Sequence, residues 1–370
     1  MMGFYERLDI EPKINAATYY TAIGGSLMPE EVLDAMKEAG KSFVSIHELQ
    51  LKAGNRIADL TKNEGAYITC GAAAGIALCI LACRTEGDLG KIQHIIDNKA
   101  PESEVIMHVG HRISYDPAIR LAGSNIVTIG NIFQTYEWEL EAAINSKTSA
   151  IFYVAGSHLA GPVLPLEAVI KIGKANNTPV VVDASAQLPP LSNLWHFTKD
   201  LGAELAIFSG GKTLCGPQAS GLIVGQTKWI EAVRANGSPN QGLGRAFKVG
   251  KEEIAGLTVA VELFVAADHD ANFKKWNSTI DFWMKELSEV SNITLIRESL
   301  NEAGQPIPRL QIVLPSNSAL KVVDALRKQK PSIEVVQNYK NKIWLSADAL
   351  KNDEADLVVS GLKKALTNLN

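Results

Sequence analysis

Short apolar runs alternate with helical stretches through the first two-thirds of the chain. The runs at 66–69, 104–108, 125–129, 149–154, 179–183, 205–209 and 221–224 predict strands. Between them, 72–83, 114–122, 137–144 and 165–176 carry helical patterns. An earlier helix opens at Met28-Pro29-Glu30-Glu31, where proline suits the first turn and the acids suit the positive helix end. Strands without polar alternation, each followed by a helix, are the signature of right-handed βαβ units and a sheet buried on both faces. Such sheets bind ligands beyond the carboxyl ends of their strands.

After Gly250 the pattern changes. A long helix is expected from Lys251 to about Leu287, followed by sparser strands at 293–296, 309–314, 333–336 and 343–345 and helices at 319–328 and 353–369. The expected architecture is α/β: a large domain with a mostly parallel seven-stranded sheet, plus a smaller α+β C-terminal domain. The boundaries expected are an N-terminal arm at 1–30, a large domain at 31–255 and a small domain at 256–370, the arm packing with the small domain or a partner subunit.

Composition narrows the function classes. The 370 residues are 46% hydrophobic and 21% charged, an ordinary globular balance. A net charge of −4 gives no general attraction to nucleic acid or anionic membrane. The longest apolar run, 71–83, is too short to cross a bilayer, and no secretory signal precedes the first polar stretch. Cys70, Cys79, Cys83 and Cys215 show neither disulfide nor zinc spacing, so no metal is expected and the cytoplasm is the expected compartment.

Phe208-Ser209-Gly210-Gly211-Lys212-Thr213 carries the chemistry. It imitates a phosphate-binding P-loop, but Ala206 stands where that motif needs its first glycine, and a strand instead of a helix follows. A lysine held in a tight glycine loop between two strands suits imine formation. Burial disfavours the ammonium, leaving an amine that can condense with an aldehyde. Ser209 can donate to a phosphate. The alternative is a surface lysine in a turn.

Asp183 ends the apolar run Pro179-Val180-Val181-Val182, 29 residues before Lys212. Alone it could be a helix cap. Paired with Lys212 it fits pyridoxal 5′-phosphate, whose ring nitrogen needs an acid beside it to stay protonated. Gly71, Ala72 and Ala73 open a helix of small residues after a strand, leaving backbone N–H groups for a phosphate; tight packing against the sheet is the other reading. His111 is a candidate to stack on the pyridine ring, with His108 read as structural, and Ser185 is counted with the cofactor-binding set.

These residues resemble the selenocysteine synthase (L-seryl-tRNA selenium transferase) family, and among its members the short D-glucosaminate-6-phosphate ammonia lyases. The likeness runs from about Ile14 to the C-terminus. It is carried by Asn15-Ala16-Ala17-Thr18, Gly24-Gly25, Gly110-His111-Arg112, Val182-Asp183-Ala184-Ser185, the Lys212 loop with Gly216-Pro217-Gln218, and Gly244-Arg245-Ala246-Phe247-Lys248. It implies a fold-type-I pyridoxal-phosphate enzyme, a homodimer or assembly of dimers with active sites at the subunit interface. It also implies that Arg245, Lys248 and Arg56 face anionic groups; as bare sequence they could be solvated charges. The tRNA-dependent members carry a longer N-terminal region, and with the net charge of −4 this argues for a small amino-acid substrate and against tRNA.

The reaction expected is elimination of ammonia from a small hydroxylated amino acid, with or without a phosphate, to a 2-keto acid. Lys212 would act as base and Asp183 would hold the ring nitrogen. Aminotransfer or racemisation would use the same pair. A desulfurase is disfavoured because no cysteine follows Cys215. A non-catalytic binding module is disfavoured by the intact lysine, aspartate and serine.

Overall fold

A computed structural model describes residues 3–159, 161–315 and 317–367. The chain divides into two compact units. One comprises Ser26–Ala267 with Ala303–Gln305, and the other Met1–Gly25, Asp268–Glu302 and Pro306–Asn370.

The larger unit is built on a seven-stranded sheet. Its order is Gly65–Thr69, Gly221–Gly225, Leu205–Ser209, Val180–Asp183, Thr148–Val154, Glu104–His108, Asn125–Ile129. Six strands run the same way and Gly221–Gly225 is reversed against both neighbours. The reversal has a simple cause. Residues 210–220, which join Leu205–Ser209 to it, contain no helix to carry a crossover, so the chain must return antiparallel.

Successive residues of each strand enter different cores, which is why the strands read as unbroken apolar runs. Ile68, Ile106, Ile151, Val182 and Phe208 face one side with the helices Ile46–Leu60, Leu166–Ala175 and Lys251–Ala266. Tyr67, Met107, Phe152, Val181 and Ile207 face the other, against the helices Ala72–Thr85 and Thr227–Asn236. The helix Ala72–Thr85 is apolar all round, as a helix laid directly on a sheet and covered by others must be.

The smaller unit holds a four-stranded antiparallel sheet in the order Val336–Tyr339, Lys342–Ser346, Arg309–Val313, Thr294–Glu298. The helices His269–Leu287, Ala319–Arg327 and Glu354–Thr367 contribute to its core around Trp283. The N-terminal arm joins this unit: Lys13–Asn15 pairs in parallel with Ser332–Glu334.

The expected seven-stranded, mostly parallel sheet and separate α+β unit are both present. The long helix expected from Lys251 is instead two, Lys251–Ala266 and His269–Leu287. Ala267 turns extended, and Asp268 caps the second helix by accepting from Ala271 N–H at 2.9 Å. The two compact units part there. Among the described residues no helix is long and apolar enough to cross a membrane, and no cluster of acids, histidines and cysteines could hold a metal ion.

Candidate active site

The parallel strands bring most of the candidate residues to one edge of the large sheet, their carboxyl ends. In sheet order these ends are Thr69 with Gly71–Ala73, Ser209 with Lys212, Asp183 with Ser185, Val154, and His108 with His111.

Lys212 sits in a closed hairpin. Gly210 N–H donates to Ser220 O at 2.9 Å, Gly216 N–H to Gly210 O at 2.9 Å, and Cys215 N–H to Lys212 O at 2.8 Å. Gly211 is required: a Cβ there would lie 2.6 Å from the Cα of Gln218 across the hairpin. Ser26, which the sequence reading passed over, pins the same loop by donating its N–H to Gly211 O at 3.0 Å, and its hydroxyl is buried without a partner.

Asp183 is the last residue of its strand, opposite Ile207 and Val154. It is buried, and its Oδ1 accepts from Ser185 N–H at 3.0 Å. Burial pushes its carboxyl up, while the bonds from Ser185 and the charge of nearby Lys212 pull it down. A carboxylate so placed has more acceptor capacity than the protein fills. A cationic N–H opposite it would restore the ionised form.

Gly71, with φ +105°, turns the chain from strand to helix, and no side chain crowds the position where its Cβ would stand. Gly75 N–H is the first to bond back, to Gly71 O at 3.0 Å. The N–H groups of Ala72, Ala73 and Ala74 therefore have no intrahelical acceptor, and the helix dipole is positive there. Thr69 adds a fully buried hydroxyl without a partner.

His111 is buried and accepts at Nδ1 from Val154 N–H at 3.3 Å; its Nε2 has no partner. Burial pushes its pKa down to about 3, helped by the neighbouring His108 and His158. His108, held at about 4 by burial, packs edge-on to His111 with ring centroids 5.0 Å apart.

These groups fit pyridoxal phosphate on their own chemistry. There are free N–H donors for a phosphate, an under-satisfied buried carboxylate for a pyridinium, a buried imidazole with an unmet donor, and a lysine close enough to act on that carboxylate. Arg245 lies half-buried in the short helix Leu243–Ala246 and Lys248 is exposed. Arg56, on the helix Ile46–Leu60, is ion-paired to Glu262 at 2.7 Å and largely exposed.

The fold and this edge define a fold-type-I, pyridoxal-phosphate-dependent enzyme. More narrowly, the chain belongs to the L-seryl-tRNA selenium transferase family, whose model matches residues 14–292. It is 36% identical over 265 residues to D-glucosaminate-6-phosphate ammonia lyase of Salmonella typhimurium, spanning 70% of this chain and 69% of that one. It is 29% identical to 5′-C-glycyluridine monooxygenase-decarboxylase of a Streptomyces species, over 98% of this chain and 92% of the relative. It spans only 54% of the L-seryl-tRNA(Sec) selenium transferase of Alkaliphilus metalliredigens, at 25% identity. Among solved structures, a D-glucosaminate-6-phosphate ammonia-lyase superposes with a TM-score of 0.86 at 30% identity, covering 99% of this chain and 98% of that one. Chains at 14% identity, such as SPT with PLP at a TM-score of 0.62, share the fold.

Proposed function

We propose that this enzyme is an ammonia lyase that removes water and then ammonia from a small hydroxylated amino acid, with or without a phosphate, to give a 2-keto acid. The observation that carries the reading is the placement of Lys212 beside a buried Asp183 at the carboxyl ends of adjacent strands, in a chain similar over most of its length to an ammonia lyase.

Pyridoxal phosphate, when bound, supplies the electron sink for the pair left by the Cα proton. Asp183 holds the proton on the ring nitrogen by remaining ionised against it. Lys212 takes the proton from the substrate Cα, a task for which an amine fixed in a closed loop is suited. The Cβ–OH bond then breaks and water leaves. The released enamine takes up water and parts into keto acid and ammonia. The N–H groups of Ala72 and Ala73, with Gly71 and Ser209, hold the phosphate, and Ser185 supports Asp183. Arg245, Lys248 and Arg56 are assigned to anionic groups of the substrate, Arg56 on exchange of its Glu262 partner or from a neighbouring subunit.

We also assign the protein to the cytoplasm, as a homodimer or assembly of dimers. Leu27, Phe43 and Val44 are exposed in the larger unit, with Phe43 fully so, as suits a face covered by a second copy.

The test is a screen of D- and L-hydroxyamino acids, with and without phosphate, for released ammonia and keto acid. Ammonia and keto acid in equal amounts, without oxygen, are expected. Keto acid with conversion of the coenzyme to its amine form would show aminotransfer; oxygen-dependent carbon dioxide would show chemistry like that named for the Streptomyces relative. Lys212→Ala is expected to lower turnover at least about 10⁴-fold and to abolish borohydride-trapped coenzyme on the 212 peptide.

A further inference from the structure

The strand Thr148–Val154 keeps register with Glu104–His108 only as far as Ile151 opposite Ile106. Ile151 and Ala155 turn their N–H groups to the other side, toward Pro179 O and Asp183 O, each at 2.9 Å. The N–H of Val154 therefore points to where Glu104–His108 has departed. It donates to His111 Nδ1 instead. A nitrogen that accepts from a backbone N–H carries a lone pair, so the ring proton resides on Nε2. That atom is buried and without a protein partner.

The ring is also held from the side. Tyr153 packs edge-on to His111 with centroids 4.4 Å apart at 80°, and its hydroxyl is tied to Leu164 O at 3.2 Å. The titratable groups that bear on the imidazole are His108, His158 and Tyr153. None is a carboxylate that would favour an imidazolium.

We propose that His111 is a fixed, neutral Nε2–H donor to an oxygen of the bound coenzyme or substrate, and that Tyr153 is the positioning residue that keeps the donor aimed. This rests on the ammonia-lyase reading for its substrate but not for its readouts. A histidine that only stacks needs a flat ring; a donor needs the N–H.

His111→Gln carries an amide N–H to the Nε2 position, whereas His111→Phe keeps a flat ring without a donor. Coenzyme affinity of the apoprotein and kcat and KM for ammonia release are measured for both. His111→Gln is expected within about 10-fold of the parent and His111→Phe about 10²-fold worse. The loss falls in coenzyme Kd if the oxygen belongs to the coenzyme, and in KM with Kd unchanged if it belongs to the substrate. His111→Phe equal to the parent, or His111→Gln as impaired as His111→Phe, overturns the donor role. For positioning, Tyr153→Phe keeps the ring contact and loses only the tie to Leu164 O, so it is expected to retain more activity than Tyr153→Leu. Tyr153→Leu is expected to lose activity and to gain an acid-limb ionisation moving toward the ordinary histidine value of about 6.5. ¹⁵N NMR of the unaltered apoprotein reports the tautomer directly. His111 should show Nε2–H and no titration at neutral pH; titration near 6.5 overturns the proposal. The Kd and NMR readouts stand even if no ammonia is released, so the two readings fail separately.

Discussion

At the amino edge of the large sheet, three serines pass one hydrogen bond along. Ser103 meets Ser124 at 2.8 Å, donates to Ser149 at 3.0 Å, and Ser149 donates to Glu104 O at 3.1 Å. Ser103 and Ser149 line a cavity together with Arg84, Lys91, His94 and Lys147. Its lysines are already spoken for, Lys91 by Glu86 and Lys147 by Glu102. At the carboxyl edge the same sheet leaves Thr69, Ser26 and His111 with buried polar atoms unmet, and Asp183 with acceptor capacity to spare. A hollow is thus a poorer marker of chemistry than a set of groups the fold has positioned and left unsatisfied.

Asp183→Asn breaks the comparison most severely. Asparagine fills the space but cannot balance a pyridinium, so kcat is expected to fall by about 10²–10⁴-fold while coenzyme attachment at Lys212 persists. Unchanged kcat would remove Asp183 from the chemistry.

A buried carboxyl in the smaller unit tests whether burial alone gives function. In the smaller unit both oxygens of Asp348 are buried without partners, and burial, with the nearby charge of Glu302, pushes its pKa up to about 7. The native state therefore holds a proton that the unfolded chain releases near pH 4, so stability falls as pH rises from about 4 to 7 and is level above. Asp348→Asn is expected to raise Tm at pH 8 and to flatten the dependence of Tm on pH. A steeper dependence would contradict the assignment.

The smallest effect belongs to the amino edge. Ser103→Ala strands Ser124, leaves Ser149 only its bond to Glu104 O, and is expected to cost about 1–3 kcal/mol of stability, with kcat and coenzyme affinity unchanged. A change in kcat would show that the two edges are coupled.

Much of the larger unit is legible in the chain because both sheet faces are covered, so each strand is a solid apolar run. Asp183 and Lys212 stand out because each interrupts or follows such a run. The reversed strand 221–225 is hidden, since an antiparallel strand buried on both faces reads like its parallel neighbours. The helix break at Ala267 is hidden because Ala266-Ala267-Asp268-His269 continues a helical pattern and only Asp268 marks a start. Ser26 and Tyr153 carry no local signal; their place at the edge depends on a hydrogen bond to Gly211 and on a ring contact, both distant in sequence.

The short hairpin between Leu205–Ser209 and Gly221–Gly225 has a bearing on redesign. It is fastened at both ends to interior strands and has Gln218 packed against Gly211, so residues inserted between 210 and 220 would have to displace the lysine itself. Efforts to widen the range of compounds accepted should leave that segment intact and vary the turns after Val154 and His111.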